Sequence, residues 1–169
     1  VAQSAKKIAA VAGLDVPEGT TFFMVLGKKI GPEDPFSREK LSVVVTLWKY
    51  KDFDEAIAYV NNITEFNGKG HSCGIHTTNE EHIRILGDNA RVSRIMVNQP
   101  QCFGNSGNYD NGMPFTLTLG CGTWGGNITT ENVHWKHFIN VTCVSKPITP
   151  VIPNEEIIFG DHWKKFGKE

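Results

Sequence analysis

The most constraining feature of the sequence is a nearly unbroken run of apolar and β-branched residues from Leu41 to Trp48, LSVVVTLW. Such a run, without alternation, is typical of a strand that is covered on both faces, as at the centre of a parallel sheet. Parallel strands need a crossover connection, which is usually a helix. The run therefore predicts a central strand in a parallel sheet, with helices on either side of it in the chain.

The segments around this run alternate between helical and extended patterns. Asp52 with Glu55, and Thr78 with Glu81, each predict the capping box of a helix. Further elements are predicted as a helix over 5–12 and strands over 21–26, 72–77 and 91–98. The resulting order of strand, helix, strand, helix, strand requires parallel neighbours. The expected fold class is α/β, with a mostly parallel sheet and helices on both faces.

Beyond Pro100 the pattern changes. Residues 101–113 are rich in Gly, Asn, Ser and Asp, and they predict a long loop of the kind that often carries function. The elements expected after this loop are a strand over 115–119, a helix over 131–138 and a strand over 139–144. The prolines that follow predict an extended arm. The chain is thus expected to comprise one domain over 1–145 and a C-terminal arm over 146–169.

Charge and hydropathy argue against several classes of protein. Lys and Arg total 17 against 18 Asp and Glu, so the chain has no net positive charge to hold nucleic acid or an acidic membrane. No apolar run reaches the ~20 residues that span a bilayer. The four dispersed cysteines are expected to be reduced thiols of a cytoplasmic protein. Because a helical pattern follows Val1 almost at once, we expect a fragment of a longer chain.

The segment GCGTWG at 120–125 matches G-x-G-x-x-G after a predicted strand. A dinucleotide fingerprint has to open a βαβ unit, whereas the last predicted strands follow here, so the match is weak evidence for that site. Closely spaced glycines instead allow backbone amides to converge on an anion, and a structural turn is an equally good interpretation. Cys121 is either a nucleophile or a buried structural thiol.

Four potential metal ligands lie close together in the sequence: His71, Cys73, His76 and His82. On a strand His71 and Cys73 share one face while His76 points to the other, so no metal site is expected. His71 lies where helix-ending glycines give way to a strand, which suits acid/base chemistry. A hydrogen-bonded structural histidine is the alternative. Glu39, before the strongly apolar strand, is either functional or simply solvated.

Three stretches together resemble the coenzyme-A-acylating aldehyde dehydrogenases. They are PFSREKLS at 35–42, GHSC at 70–73, and TLGCGTWGGN at 118–127 with ENV at 131–133. Their order and spacing also match, although Val43 stands where the family usually has proline. The sequences of residues 122–127 and 155–161 are most similar to those of the branch that oxidises sulfoacetaldehyde. The succinate-semialdehyde and acetaldehyde branches are close rivals.

The resemblance implies an α/β fold of the aldehyde dehydrogenase catalytic-domain type, with residues 1–145 as part of that domain. It implies oxidation of a small aldehyde with NAD (or NADP) and transfer of the acyl group to coenzyme A. None of the four cysteines aligns with the family's nucleophile, which would lie before Val1, so the chain alone is expected to be inactive. Glu39 would hydrogen-bond the nicotinamide ribose, and His71 would act as acid/base in acyl transfer.

The aldehyde pocket implied by the resemblance is lined by the glycine loop, namely Gly120, Cys121, Gly122, Gly125 and Gly126. Asn108, in the preceding polar loop, is a further candidate donor to the substrate. The loop amides and the N-terminus of the helix predicted at 131 favour an anionic group such as a sulfonate. Residues 139–144 would join the sheet of a second subunit and give a homo-oligomer. Two other classes stay open: a self-contained hydrolase or acyltransferase that uses Cys121 with His71, and a non-catalytic oligomerisation module.

Overall fold

The computed structural model describes residues 2–168, which divide into two compact units at Phe138 and Ile139. The helices of the first unit are α1 (Ala5–Ala12), α2 (Phe53–Asn67), α3 (Glu80–Asn89) and α4 (Gln101–Gly104), and its strands are β1 (Phe23–Leu26), β2 (Val44–Leu47), β3 (Cys73–Ile75) and β4 (Ile95–Val97). The second unit contains α5 (Glu155–Phe166). The predicted domain boundary between residues 145 and 146 stays a prediction.

The strands pair in parallel, as predicted, and helices alternate with them, which confirms the α/β class. They form two sheets of two strands each: β1 pairs with β2, and β3 pairs with β4. β2 was expected at the centre of a sheet and covered on both faces. Within residues 2–168 it has only β1 as a neighbour, and Val45 on its open face is 47% exposed, so this expectation is wrong.

Side-chain caps explain where the two longer helices begin. The Asp52 carboxylate accepts from the Glu55 amide at 2.9 Å, which confirms the predicted start of α2. The Glu55 carboxylate accepts from the Lys51 amide at 2.8 Å. At α3 the cap is Asn79, one residue later than predicted, because the Asn79 side chain accepts from two amides of the first turn.

The second half of the first unit is less regular than the sequence predicted. α4 interrupts the loop expected over 101–113. No strand forms over 115–119, where Leu119 makes only an isolated antiparallel bridge to Asn132. The Thr116 hydroxyl donates to the carbonyls of Thr118 and Val133 and so competes with a regular ladder. The helix expected over 131–138 is reduced to a 3₁₀ turn at Trp135–Phe138.

The second unit also differs from expectation. Residues 139–144 are exposed and form no strand in this single chain, which offers them no hydrogen-bonding neighbour. The arm expected to be extended over 146–169 contains α5, whose N-cap Asn154 accepts from the Glu156 amide at 2.9 Å. Within residues 2–168, no helix is both long enough and apolar enough to cross a bilayer.

Candidate functional site

An open cavity of about 580 Å³ lies in the first unit and brings together predicted residues from three distant parts of the chain. Glu39 contributes from the segment after the Pro35–Ser37 turn, and His71 from the residues before β3. Cys121 and Gly125 contribute from the glycine loop. Much of the remaining wall is formed by the last turns of α2, by Thr46 of β2 and by Trp48 just after it. We therefore take this cavity as the candidate site.

Glu39 is held by its backbone, while its carboxylate stays free. Asn67, the last residue of α2, accepts from the Glu39 amide at 3.0 Å through Oδ1 and donates to the Ser37 carbonyl at 2.7 Å through Nδ2. Ser37 is itself buried and bonded to Gly31. Within residues 2–168 the carboxylate of Glu39 has no hydrogen bond or ion pair. It is therefore available as an acceptor for hydroxyl groups in the cavity.

His71 is fixed at the entrance to β3. Gly70 forms a parallel bridge with Val92 and exchanges hydrogen bonds with Arg91 and Ser93, so the backbone before His71 is bonded to the residues just before β4. The imidazole is exposed, and its Nδ1 lies 2.6 Å from Ser72 Oγ. The other ring nitrogen, Nε2, has no partner within the described chain. This nitrogen is the one available to a ligand.

The glycine loop packs against this backbone because residue 70 has no side chain. A Cβ atom on Gly70 would lie 2.5 Å from the Cys121 carbonyl oxygen and 2.8 Å from the Gly125 nitrogen. Gly70 also has φ +102°, which side chains rarely tolerate. Gly70 is therefore the position that allows the loop to lie beside His71.

Backbone amides of the glycine loop donate their hydrogen bonds to acceptors within the same segment of the chain. The amide of Cys121 donates to Asn127 Oδ1 at 2.8 Å. The glycine amides donate to neighbouring carbonyls: Gly120 to Glu131, Gly122 to Thr129, Gly125 to Cys121 and Gly126 to Thr123. Amides already paired in this way cannot converge on an anion, and the helix expected after the loop is absent. The amide-based anion site is therefore wrong for these positions, and the structural-turn interpretation fits them.

Arg94, which the sequence reasoning missed, anchors the loop. It is 5% exposed, and its guanidinium donates to four neutral acceptors: Asn132 Oδ1 at 2.8 Å and the carbonyls of His71 at 3.1 Å, Gly120 at 2.5 Å and Thr130 at 3.2 Å. Burial lowers the pKa of Arg94 from its ordinary value. Within the described residues no carboxylate pairs with it. A charged residue inside a predicted strand was the available sequence signal.

The remaining predicted residues lie outside the cavity wall. Asn108 is engaged in its own turn, where its Oδ1 accepts from the Tyr109 amide and its amide donates to Asn111. Gly120, Gly122 and Gly126 belong to the loop without lining the cavity. Asn127, which the sequence reasoning also missed, does line it and orders the loop through the Cys121 amide.

The cavity wall is predominantly basic. Arg38, Lys40 and Lys69 line it, against Glu39 as the acidic side chain. Lys69 is paired with Glu65 at 3.1 Å. Lys40 donates to two carbonyls at 2.7 Å, and burial lowers the pKa of its ammonium group. Within the described chain no carboxylate lies at ion-pair distance from the Lys40 ammonium group, and Asp34 acts on its charge only from farther away. The charge of Lys40 can therefore attract an anion.

The other candidate chemistries find less support. The ring of His71 has Ser72 as its hydrogen-bond partner and makes no such bond to the Cys121 thiol in the described residues. Burial raises the pKa of the Cys73 thiol to about 11, which keeps it protonated at neutral pH. His82 stacks on Phe53 with the ring centroids 4.0 Å apart. No group of three potential metal ligands occurs within residues 2–168.

Comparison with known proteins gives consistent matches. No family model matches the chain. It is 51% identical over 168 residues to an acylating sulfoacetaldehyde dehydrogenase of Bilophila wadsworthia, covering 99% of this chain and 36% of the relative. It is 40% identical over 142 residues to an acetylating succinate-semialdehyde dehydrogenase of Clostridium kluyveri, covering 84% of this chain and 31% of that protein. The chain spans about a third of the length of these relatives.

A solved structure gives the same result for the fold. The chain is similar to an acetylating aldehyde dehydrogenase from Geobacillus thermoglucosidasius with a TM-score of 0.81 and 32% identity. The match covers 90% of this chain and 33% of that protein. The α/β class predicted from the sequence is therefore also the class of a structural relative that covers most of the chain.

Proposed function

We propose that this chain, which matches acylating aldehyde dehydrogenases over nearly its whole length, is part of an enzyme that oxidises a small anionic aldehyde with NAD (or NADP) and transfers the acyl group to coenzyme A. The observation that carries this proposal is the single cavity lined by Glu39, His71 and the glycine loop. The nucleotide supplies the hydride acceptor when bound. The residues of this chain orient the reactants and provide hydrogen bonds to them.

The chemistry of the cavity wall fits these reactants. The free carboxylate of Glu39 fits the hydroxyl groups of a ribose, since it can accept hydrogen bonds from them. The basic side chains of the wall fit the phosphates of a nucleotide or an anionic aldehyde. We propose that the nucleophilic cysteine lies outside residues 1–169, and that the protein functions in the cytoplasm, where its free cysteines would stay reduced.

Glu39 provides the first test. In the full-length protein, Glu39→Gln keeps the size of the side chain and weakens its acceptance from ribose hydroxyls. We expect a KM for NAD raised about tenfold, with folding preserved, measured by initial rates over a range of NAD concentrations and by circular dichroism. Glu18→Gln, at an exposed turn, is the control. Unchanged NAD kinetics in Glu39→Gln would remove this residue from the site.

The identity of the aldehyde is the second test. We propose that sulfoacetaldehyde is preferred, because it is the substrate in the name of the Bilophila wadsworthia relative and because the unpaired ammonium group of Lys40 favours an anion. The full-length protein should therefore show a higher kcat/KM for sulfoacetaldehyde than for succinate semialdehyde or acetaldehyde. A preference for acetaldehyde would contradict anion recognition.

Replacement of Lys40 by glutamine distinguishes an effect of its charge on the anionic substrate from general damage to the site. At saturating NAD and coenzyme A, Lys40→Gln is expected to lower kcat/KM about tenfold for sulfoacetaldehyde and much less for acetaldehyde. Lys69→Gln is the matched control, since Lys69 lines the same cavity but is already paired with Glu65. Equal losses on both aldehydes would show that Lys40 supports the structure rather than selecting an anion.

We also propose that residues 139–144 add a strand to a second copy of the chain. These residues are exposed, and Val141 and Val144 keep 76% and 82% of their surface accessible. Thr142→Pro removes a backbone donor from such a strand, so the full-length protein should sediment as a smaller species. Thr142→Ala keeps the donor and should sediment like the unmodified protein. An unchanged assembly in Thr142→Pro would place the interface elsewhere.

A further inference from the structure

We infer that Ser72 is a positioning residue that holds His71 in the tautomer with its proton on Nε2, so that His71 offers the cavity a hydrogen-bond donor. The inference rests on the proposed function, in which His71 assists acyl transfer. It adds a residue with a defined task, and it replaces the acid/base assignment of His71 with that of a hydrogen-bond donor at Nε2.

The hydrogen bonds around Ser72 Oγ determine the tautomer. Gln101 Nε2 lies 2.8 Å from this oxygen and Asn105 Nδ2 lies 2.9 Å from it. Both are amide nitrogens, which can only donate, so they occupy the two acceptor positions of the hydroxyl group. His71 Nδ1, at 2.6 Å, is then the acceptor of the single Ser72 hydrogen. A neutral imidazole that accepts at Nδ1 carries its hydrogen on Nε2.

One of the two amide donors, Asn105, is itself held by buried groups. Asn105 follows α4 and is 6% exposed. Its backbone carbonyl accepts from Asn132 Nδ2 at 3.0 Å. The Oδ1 atom of Asn132 accepts from Arg94, which also donates to the His71 carbonyl at 3.1 Å. Side chain and backbone of the histidine are thus connected to one hydrogen-bonded network, and such networks restrict the orientation of their members.

The side-chain amide of Asn105 decides whether the Ser72 hydroxyl donates to His71 or accepts from it. Its Oδ1 atom is buried without a partner within the described residues. Turning the amide over would give the Ser72 hydroxyl an acceptor and would let His71 Nδ1 donate instead. That alternative places the free lone pair on Nε2 and makes His71 a base, so the two arrangements predict different spectra.

A donor on Nε2 fits acyl transfer without a proton relay through His71. The thiol cosubstrate loses its proton to water, and its sulfur forms a bond to the carbonyl carbon of the acyl thioester. The π electron pair of the carbonyl moves onto oxygen, which accepts a hydrogen bond from Nε2–H. When the pair returns, the carbon–sulfur bond to the enzyme breaks and the sulfur leaves as a thiolate. His71 keeps its proton throughout.

The direct test is the tautomer of His71 in the full-length enzyme. Isotope-labelled histidine gives distinct nitrogen and carbon resonances for the two tautomers, and the difference spectrum against His71→Gln assigns those of His71. We expect the Nε2–H form, which should persist in Ser72→Thr and give way to a mixture in Ser72→Ala. An Nδ1–H form, or a spectrum unaffected by Ser72→Ala, would overturn the inference.

Kinetics supply a second readout. Ser72→Ala should slow the coenzyme-A-dependent steady state about tenfold and leave the first burst of NADH unchanged, and Ser72→Thr should restore the rate. His71→Gln, whose amide can replace the Nε2–H donor, should retain more activity than His71→Ala. Equal activity in these two variants would overturn the donor role. Absence of coenzyme-A-dependent turnover in the unmodified enzyme would instead refute the proposed function, while the tautomer is measured independently.

Discussion

Replacement of His71 by alanine in the full-length protein is expected to slow the coenzyme-A-dependent steady state by about 10²–10³-fold, the range found when a donor to a developing oxyanion is removed. The first burst of NADH should be preserved, because formation of the acyl thioester precedes the step that we assign to His71. The side chain is exposed and has one hydrogen bond, to Ser72, so its removal should not disturb the fold. Rapid mixing with NADH absorbance separates the two phases.

His76→Ala is the matched control, since this second histidine of the β3 region is also exposed but does not line the cavity. Its burst and steady state should both match those of the unmodified protein. Loss of the burst in His71→Ala would assign His71 to hydride transfer or to structure. A slow burst in both variants would indicate damage to β3.

Replacement of Arg94 by methionine is expected to lower the free energy of unfolding by about 3 kcal/mol. The methionine side chain fills part of the buried volume but donates nothing to the four acceptors that the guanidinium holds. Arg94→Lys keeps the charge but not the planar set of five donors, so it should recover only part of the loss. Denaturant unfolding of the full-length protein measures these differences.

Arg84→Met is the control for this prediction. Arg84 also bonds to several partners, Glu81 and Asp88, but its side chain is 61% exposed and these ion pairs lie in solvent. Exposed pairs of this kind contribute little to stability, so the variant should unfold nearly as the unmodified protein does. A similar loss in the Arg84 and Arg94 variants would show that burial of Arg94 does not determine its importance.

The sequence predicted best those features that depend on neighbouring residues. The start of α2 depends on Asp52 and on an amide three positions away, so the pattern of the sequence was sufficient. Thr78 and Asn79 can both cap a helix, and the choice between them depends on the backbone conformation that the surrounding fold imposes. This explains a shift of one residue at α3.

Features that depend on distant partners were predicted less well. The glycines of the loop allow either an anion site or a self-bonded turn, and the distinction depends on carbonyls such as that of Thr129. Apart from its charge within a predicted strand, Arg94 has no local pattern, because its partners lie 23 to 38 positions away in the sequence. Glu39 and His71 were found through the resemblance of their motifs to a family, and the fold explains why they line the same cavity.

The close approach of Gly70 to Cys121 and Gly125 has a consequence for laboratory evolution of this site. A side chain at Gly70 would require the backbone of the loop to move, and one at Gly125 would meet the Cβ atom of Cys121 at 2.5 Å. A library that varies both positions freely would therefore consist mostly of misfolded members. Arg38 and Thr64 line the cavity away from this contact. Changes in ligand preference should therefore be sought at such positions, while the inner contact is kept as the fixed scaffold.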